Sequence, residues 1–157
     1  MKISEIFESI QGEGTNAGKH VIFLRTAECN LKCSWCDTKY TWDWKNFDYS
    51  KEVKEIPIKE IRQKLEQFSN RHLVITGGEP LMQDGCIELL EKLLEKNYHV
   101  LLETGGSLAV DKVPEGVKKI IDFKCPYSKM DKKNLWSILD GMAKHDEIKF
   151  VIGNRDD

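Results

Sequence analysis

The chain has 157 residues, enough for one domain with a buried core, and it carries 24 Lys plus Arg against 26 Asp plus Glu. That near-neutral balance argues against nucleic-acid binding as the main role, and no apolar run approaches the length of a membrane span. The first six residues are interrupted by charge and lack a signal-peptide core, so a cytoplasmic protein with reduced cysteines is expected.

Residues 3–10 alternate apolar and polar side chains, the pattern of a strand, and Gln11-Gly12-Glu13-Gly14 breaks it. Residues 20–24 read as a buried strand leading into Arg25, Glu28 and Cys29. The stretch from Trp42 to Glu55 is irregular and charge-rich, with Trp42 and Trp44 suited either to a lid or to packing under a loop. Pro57 starts a helix whose stripe is Ile58, Ile61, Leu65 and Phe68. Residues 73–76 form a short apolar strand ending in Gly77-Gly78-Glu79-Pro80. A helix from about residue 83 to 96 follows, with the stripe Ile87, Leu90, Leu93 and Leu94. Strands are expected over 99–103, 119–124 and 148–152, with a helix carrying Leu135, Ile138, Leu139 and Met142 between the last two.

Strands alternating with helices predict an α/β fold with a mostly parallel sheet, in one domain over residues 1–157. Five or six strands are too few for a closed eight-fold barrel, so an open partial (β/α) barrel is expected. Polar segments follow the predicted strands at Cys29, Gly77-Gly78-Glu79, Glu103-Thr104-Gly105, Asp122 with Lys124, and Asn154 with Arg155. Strand carboxyl ends are the ligand face of parallel α/β folds, so these segments are expected to converge.

Cys29, Cys33 and Cys36 have the spacing C-x3-C-x2-C. Three thiolates can hold three irons of a [4Fe–4S] cluster and leave the fourth open to a reactant. A three-ligand zinc site with a water, and buried unligated thiols, are the other readings; no His lies between His20 and His72 to complete a four-ligand zinc site. The odd total of five cysteines argues against a disulfide framework, and Cys86 and Cys125 read as small buried apolar residues. Gly77-Gly78-Glu79-Pro80 reads either as backbone open to a ligand or as an ordinary strand-to-helix turn. Asp122 and Lys124 fall on one side of a strand, as a structural ion pair also would.

The cysteine spacing, with Trp35 directly before Cys36, resembles the radical S-adenosylmethionine (radical SAM) enzymes. The resemblance implies a cluster on Cys29, Cys33 and Cys36, SAM chelating its open iron, and reductive cleavage to a 5′-deoxyadenosyl radical. It implies SAM contacts at Trp35, Gly77, Gly78 and Glu79, with Glu103, Thr104 and Lys124 as further candidates. It also implies the open partial barrel.

Outside that shared core, Glu8-Ser9-Ile10-Gln11-Gly12-Glu13-Gly14, Phe23-Leu24-Arg25, Cys36-Asp37-Thr38 and Tyr40-Thr41-Trp42 resemble the 7-carboxy-7-deazaguanine synthase family, over about residues 4–152. The resemblance implies ring contraction of 6-carboxy-5,6,7,8-tetrahydropterin with loss of ammonia. Arg25 would then face the substrate carboxylate, Gln11, Glu13 and Gly14 the pterin, and Thr38 a Mg2+ ion. It further implies a flavodoxin or ferredoxin reductant and a homodimer. Family members usually continue beyond the point where this chain ends, so a domain short at its carboxyl end is expected. A glycyl-radical-enzyme activase and a zinc-stabilised binding module are the rival readings.

Overall fold

The computed structural model describes residues 1–157. Its strands are β1 (Lys2–Ile10), β2 (His20–Thr26), β3 (Lys54–Glu55), β4 (His72–Gly77), β5 (His99–Thr104), β6 (Lys118–Asp122) and β7 (Glu147–Lys149). They form one open sheet in the order β3-β1-β2-β4-β5-β6-β7. The run from β2 through β4, β5 and β6 to β7 is parallel, whereas β1 pairs antiparallel with both β2 and β3. The sheet has seven strands rather than five or six because the amino-terminal strand and the two-residue β3 both join it.

Three α-helices accompany it: α1 (Tyr49–Glu52), α2 (Ile58–Leu65) and α3 (Cys86–Leu94). Pro57 caps α2 with an extended backbone, and Ile61 and Leu65 are buried on its sheet-facing stripe. α3 begins later than expected, because Pro80–Met82 is a separate 3-10 turn and Gly85 takes a left-handed φ of 86° at the cap. At its other end Asn97 is left-handed and the Tyr98 N–H donates to the Leu93 carbonyl, closing the last turn.

Two expectations fail near the carboxyl end. The stripe of Leu135, Ile138, Leu139 and Met142 does not build an α-helix: Trp136–Gly141 is a run of 3-10 turns, of which only Ile138 is buried. Ser137, Asp140 and Gly141 are weak helix formers, and one buried side chain supplies too little apolar burial to offset them. The last strand is Glu147–Lys149, because Phe150 leaves the sheet and turns to Phe123, with ring centroids 6.3 Å apart. Asn154 and Arg155 therefore lie in an exposed bend.

The two faces of the sheet differ. Ile22, Leu24, Leu73, Ile75, Val100, Leu102 and Ile121 point to the helices and join one core with α2 and α3. Each fully buried side chain of this type stabilises the fold by roughly 1.5–3 kcal/mol. Val21, Val74, Leu101 and Ile120, with Phe23, form a second, smaller core on the concave face. No helix is long and apolar enough to cross a membrane.

Candidate active site

On the concave face, strand side chains repeat every two residues, so the position two steps beyond each inner apolar residue points the same way. Phe23 is followed by Arg25, Val74 by Thr76, Leu101 by Glu103 and Ile120 by Asp122. The parallel register sets Arg25 against Thr76 and Asp122 against Lys149. An apolar layer is thus overlaid by a polar one at the carboxyl ends of the strands. That polar layer floors a cavity of about 710 Å³, and Cys29, Cys33 and Cys36 stand on its wall.

The cysteine loop is supported from below. The Glu79 N–H donates to the Glu28 carbonyl at 2.8 Å, and the Gly78 N–H to the Thr26 carbonyl at 2.9 Å. A Cβ at Gly78 would run into the Glu28 backbone, and one at Gly77, whose φ is 128°, into the Thr26 backbone. The close approach these glycines allow is therefore that of the cysteine loop, although both also line the cavity.

The thiols are held in a way that suits a cluster. Burial pushes the Cys29 thiol up to about 12 and raises Cys33 also, while Lys124 pulls Cys33 back. A coordinated metal deprotonates such thiols outright. The Leu31 N–H donates to Cys29 Sγ at 3.4 Å and the Trp42 indole N–H to Cys36 Sγ at 3.3 Å, bonds of the kind that tune cluster sulfurs. Cys86 and Cys125 are buried away from the cavity, so no fourth thiol is offered. This donor set fits three irons of a cluster better than one zinc ion.

Gln11, Glu13, Arg25, Trp35, Thr38, Gly77, Gly78, Glu103, Thr104 and Lys124 all line this cavity with the cysteines. Two predicted residues do not. Gly14 takes a φ of 63° and faces Glu147, outside the cavity wall. Glu79 is fully buried, and its carboxylate accepts from the Leu81 and Gly105 N–H groups at 3.1 and 2.8 Å and from the Thr104 hydroxyl at 2.8 Å. Burial raises its pKa. The glutamate ties the end of β4 to the end of β5 and does not reach the cavity wall.

Gln11 donates to Glu103 Oε1 at 2.9 Å, and the Thr76 hydroxyl donates to Glu103 Oε2 at 2.8 Å. Arg25 gives its Nε to Glu5 Oε1 at 2.7 Å, and Nη1 and Nη2 have no protein partner. The Thr38 hydroxyl makes no cap bond to the turn it precedes and lies 3.6 Å from Cys36 Sγ. Lys124 Nζ sits 5.0 Å from the Trp35 ring centre and 2.9 Å from Asp122 Oδ2. The Trp35 indole N–H and Asp122 Oδ1 are buried without a hydrogen-bond partner, in two residues that line the cavity.

Thr76 and Lys149 belong to the same wall, and motif reading did not single them out. The period-of-two pattern beyond Val74 carries the signal for Thr76; nothing local marks Lys149. Trp42 lines the cavity with its indole N–H donated to Cys36 Sγ. Trp44 packs edge-on against Tyr49 at 4.9 Å.

The radical SAM superfamily model matches residues 23–129. The chain is 40% identical to a 7-carboxy-7-deazaguanine synthase of Koribacter versatilis, covering 100% of this chain and 67% of that protein. It is 38% identical to one of Methanospirillum hungatei, covering 100% and 63%. The chain thus spans about two thirds of the length of these relatives. The crystal structure of QueE from Escherichia coli superposes with a TM-score of 0.78 at 27% identity, over 99% of this chain and 73% of that one.

Proposed function

The chain belongs to the radical SAM superfamily and, within it, to the 7-carboxy-7-deazaguanine synthases; we propose that it contracts the ring of 6-carboxy-5,6,7,8-tetrahydropterin with loss of ammonia, and that its residues divide that work as follows. A [4Fe–4S] cluster and SAM, the family's cofactors, would be held by Cys29, Cys33 and Cys36 and by the cavity residues beside them, and would supply the radical chemistry of the reaction.

The observation that carries the assignment is the polar layer of Arg25, Thr76, Glu103 and Asp122 on neighbouring strands, beside the three thiols. Cys29, Cys33 and Cys36 hold the cluster. Arg25 turns its free Nη edge to the pterin carboxylate, a charge-assisted pair worth roughly 1.5–3 kcal/mol. Gln11 and Glu13 meet the amide and amine edge of the pterin, and Gly14 shapes their loop. Trp35, Gly77, Gly78, Glu103, Thr104 and Lys124 bind SAM, and Glu79 serves it indirectly by fixing the Thr104 hydroxyl and the Gly105 N–H. Thr38, whose hydroxyl makes no cap bond and has Cys36 Sγ as its neighbour, gives one oxygen to a Mg2+ ion that otherwise keeps waters and substrate oxygens. A flavodoxin or ferredoxin delivers the electron, the protein acts as a homodimer, and it works in the cytoplasm.

The test is anaerobic turnover of the reconstituted protein with SAM, reductant, Mg2+ and the carboxytetrahydropterin, read by mass spectrometry. A deazaguanine product that depends on SAM and on the three cysteines is expected. An intact cluster that cleaves SAM and yields no product would overturn the substrate assignment. A colourless protein with stoichiometric zinc would overturn the cluster.

A further inference from the structure

The Arg25 guanidinium, assigned above to the substrate carboxylate, is paired with Glu5, which does not line the cavity. We propose that Glu5 is a positioning residue that turns the free Nη1–Nη2 edge of Arg25 toward the substrate carboxylate. The inference rests on the assignment of Arg25.

A guanidinium offers two edges for bidentate pairing, one of which uses Nε. Glu5 Oε1 accepts from Nε at 2.7 Å, which occupies that edge and leaves the Nη1–Nη2 edge without a protein partner. Glu5 is opposite Arg25 because of the antiparallel register of β1 and β2, and the register slips immediately afterwards, at Ser4 between Ile3 and Glu5. Bulges of this kind re-aim side chains beside active sites.

The same Glu5 oxygen accepts from the Tyr40 hydroxyl at 2.7 Å. Tyr40 belongs to the 3-10 turn Lys39–Thr41, which directly follows Cys36, Asp37 and Thr38. One carboxylate oxygen thus links the guanidinium on β2 to the end of the cysteine loop. The Glu5 side chain is 40% exposed and that of Arg25 18%, and an ion pair so open to water stabilises a fold little. Its effect is on direction: Arg25 has four rotatable side-chain bonds, and the two contacts to Glu5 oppose its drift out of the cavity.

The test measures binding of 6-carboxypterin, a fluorescent oxidised analogue, and of pterin lacking the carboxylate, to reconstituted protein with SAM bound. Glu5→Ala is expected to weaken 6-carboxypterin about tenfold or more while changing pterin by less than about twofold, and Glu5→Gln, which keeps an acceptor for Nε, to fall between. Arg25→Ala should show the same selectivity. If Arg25→Ala is selective while Glu5→Ala weakens both ligands alike or neither, the role of Glu5 is overturned and that of Arg25 stands. If Arg25→Ala is not selective, the carboxylate assignment fails and the inference with it. Should Glu5→Ala lose its iron or fold, Glu5→Asp decides by the same comparison: selective loss supports the proposal, and equal or no loss overturns it.

Discussion

Lys149 on β7 reaches 2.6 Å from the Glu13 carboxylate in the loop that leaves β1, so the last strand of an open sheet is tied to a segment from its far side. Lys149 also lies 3.7 Å from Asp122, and neighbouring carboxylates raise its pKa against the opposing effect of burial. A second link, from Glu147 to Thr15 and Lys118, clasps the same loop. Side chains, with no backbone pairing, thereby bridge the open sheet from β7 to the loop after β1.

This clasp holds the loop after β1, proposed above to meet the pterin, and adds little to the stability of the protein. The Glu13 side chain is 54% exposed, and such a pair is worth about 0–1 kcal/mol. Lys149→Ala should lower the melting temperature by no more than about 4 °C while raising the KM for the carboxytetrahydropterin several-fold. Thermal melts and steady-state kinetics on the same preparation check both halves; a large loss of stability with unchanged KM would count against the clasp.

The five cysteines separate into two groups with different consequences. Cys33→Ala should leave a folded protein that binds less iron and no longer cleaves SAM. Cys86→Ala, in the helix-side core, should cost about 1 kcal/mol from its cavity and leave iron content unchanged. Iron and sulfide analysis beside a denaturant melt tells the two apart.

Gly78→Ala tests what the glycine pair is for. An added Cβ meets the Glu28 backbone, which cannot yield as a flexible side chain would. The expected result is a cost of about 1–3 kcal/mol, with reduced cluster content because Cys29 follows Glu28 directly. Weakened SAM binding with full iron content and unaltered stability would show that the glycine serves the ligand alone.

Glu79→Gln probes the buried carboxylate. A carboxamide keeps one acceptor but sets its NH2 against donors on Thr104 and Gly105, at a cost of about 1–3 kcal/mol. Because burial raises the Glu79 pKa, the native state holds this proton more tightly than the unfolded chain. Its contribution is full below the unfolded value, near 4.5, and is lost as pH rises through the higher folded value. The deficit of the Gln variant should therefore shrink between pH 4 and neutrality, as denaturant unfolding across that range would register. A constant deficit would show that the carboxylate does not titrate there.

Local pattern carried much of this protein. The alternation of β1, the apolar runs of β2, β4 and β5, and the stripe of α2 are visible in sequence because burial on a strand or helix face repeats at a fixed short period. The C-x3-C-x2-C spacing places three thiols in eight residues, close enough that they share one wall of the cavity whatever the rest of the chain does. The same parity rule sets Arg25, Thr76 and Glu103 on the concave face.

Tertiary structure decided the rest, because it depends on which distant segments meet. Glu79 reads as a ligand-facing residue until Thr104, the last residue of the next strand, and Gly105, just beyond it, take its carboxylate. The stripe at 135–142 has helical spacing but finds only one buried place to pack, so it remains in 3-10 turns. Lys149 acquires its role only when β7 joins the sheet beside β6, and Glu5 only when the antiparallel register sets it against Arg25, 20 residues away. Strand pairing and register are relations between segments far apart in the chain, and no window of sequence short enough to show periodicity contains both partners.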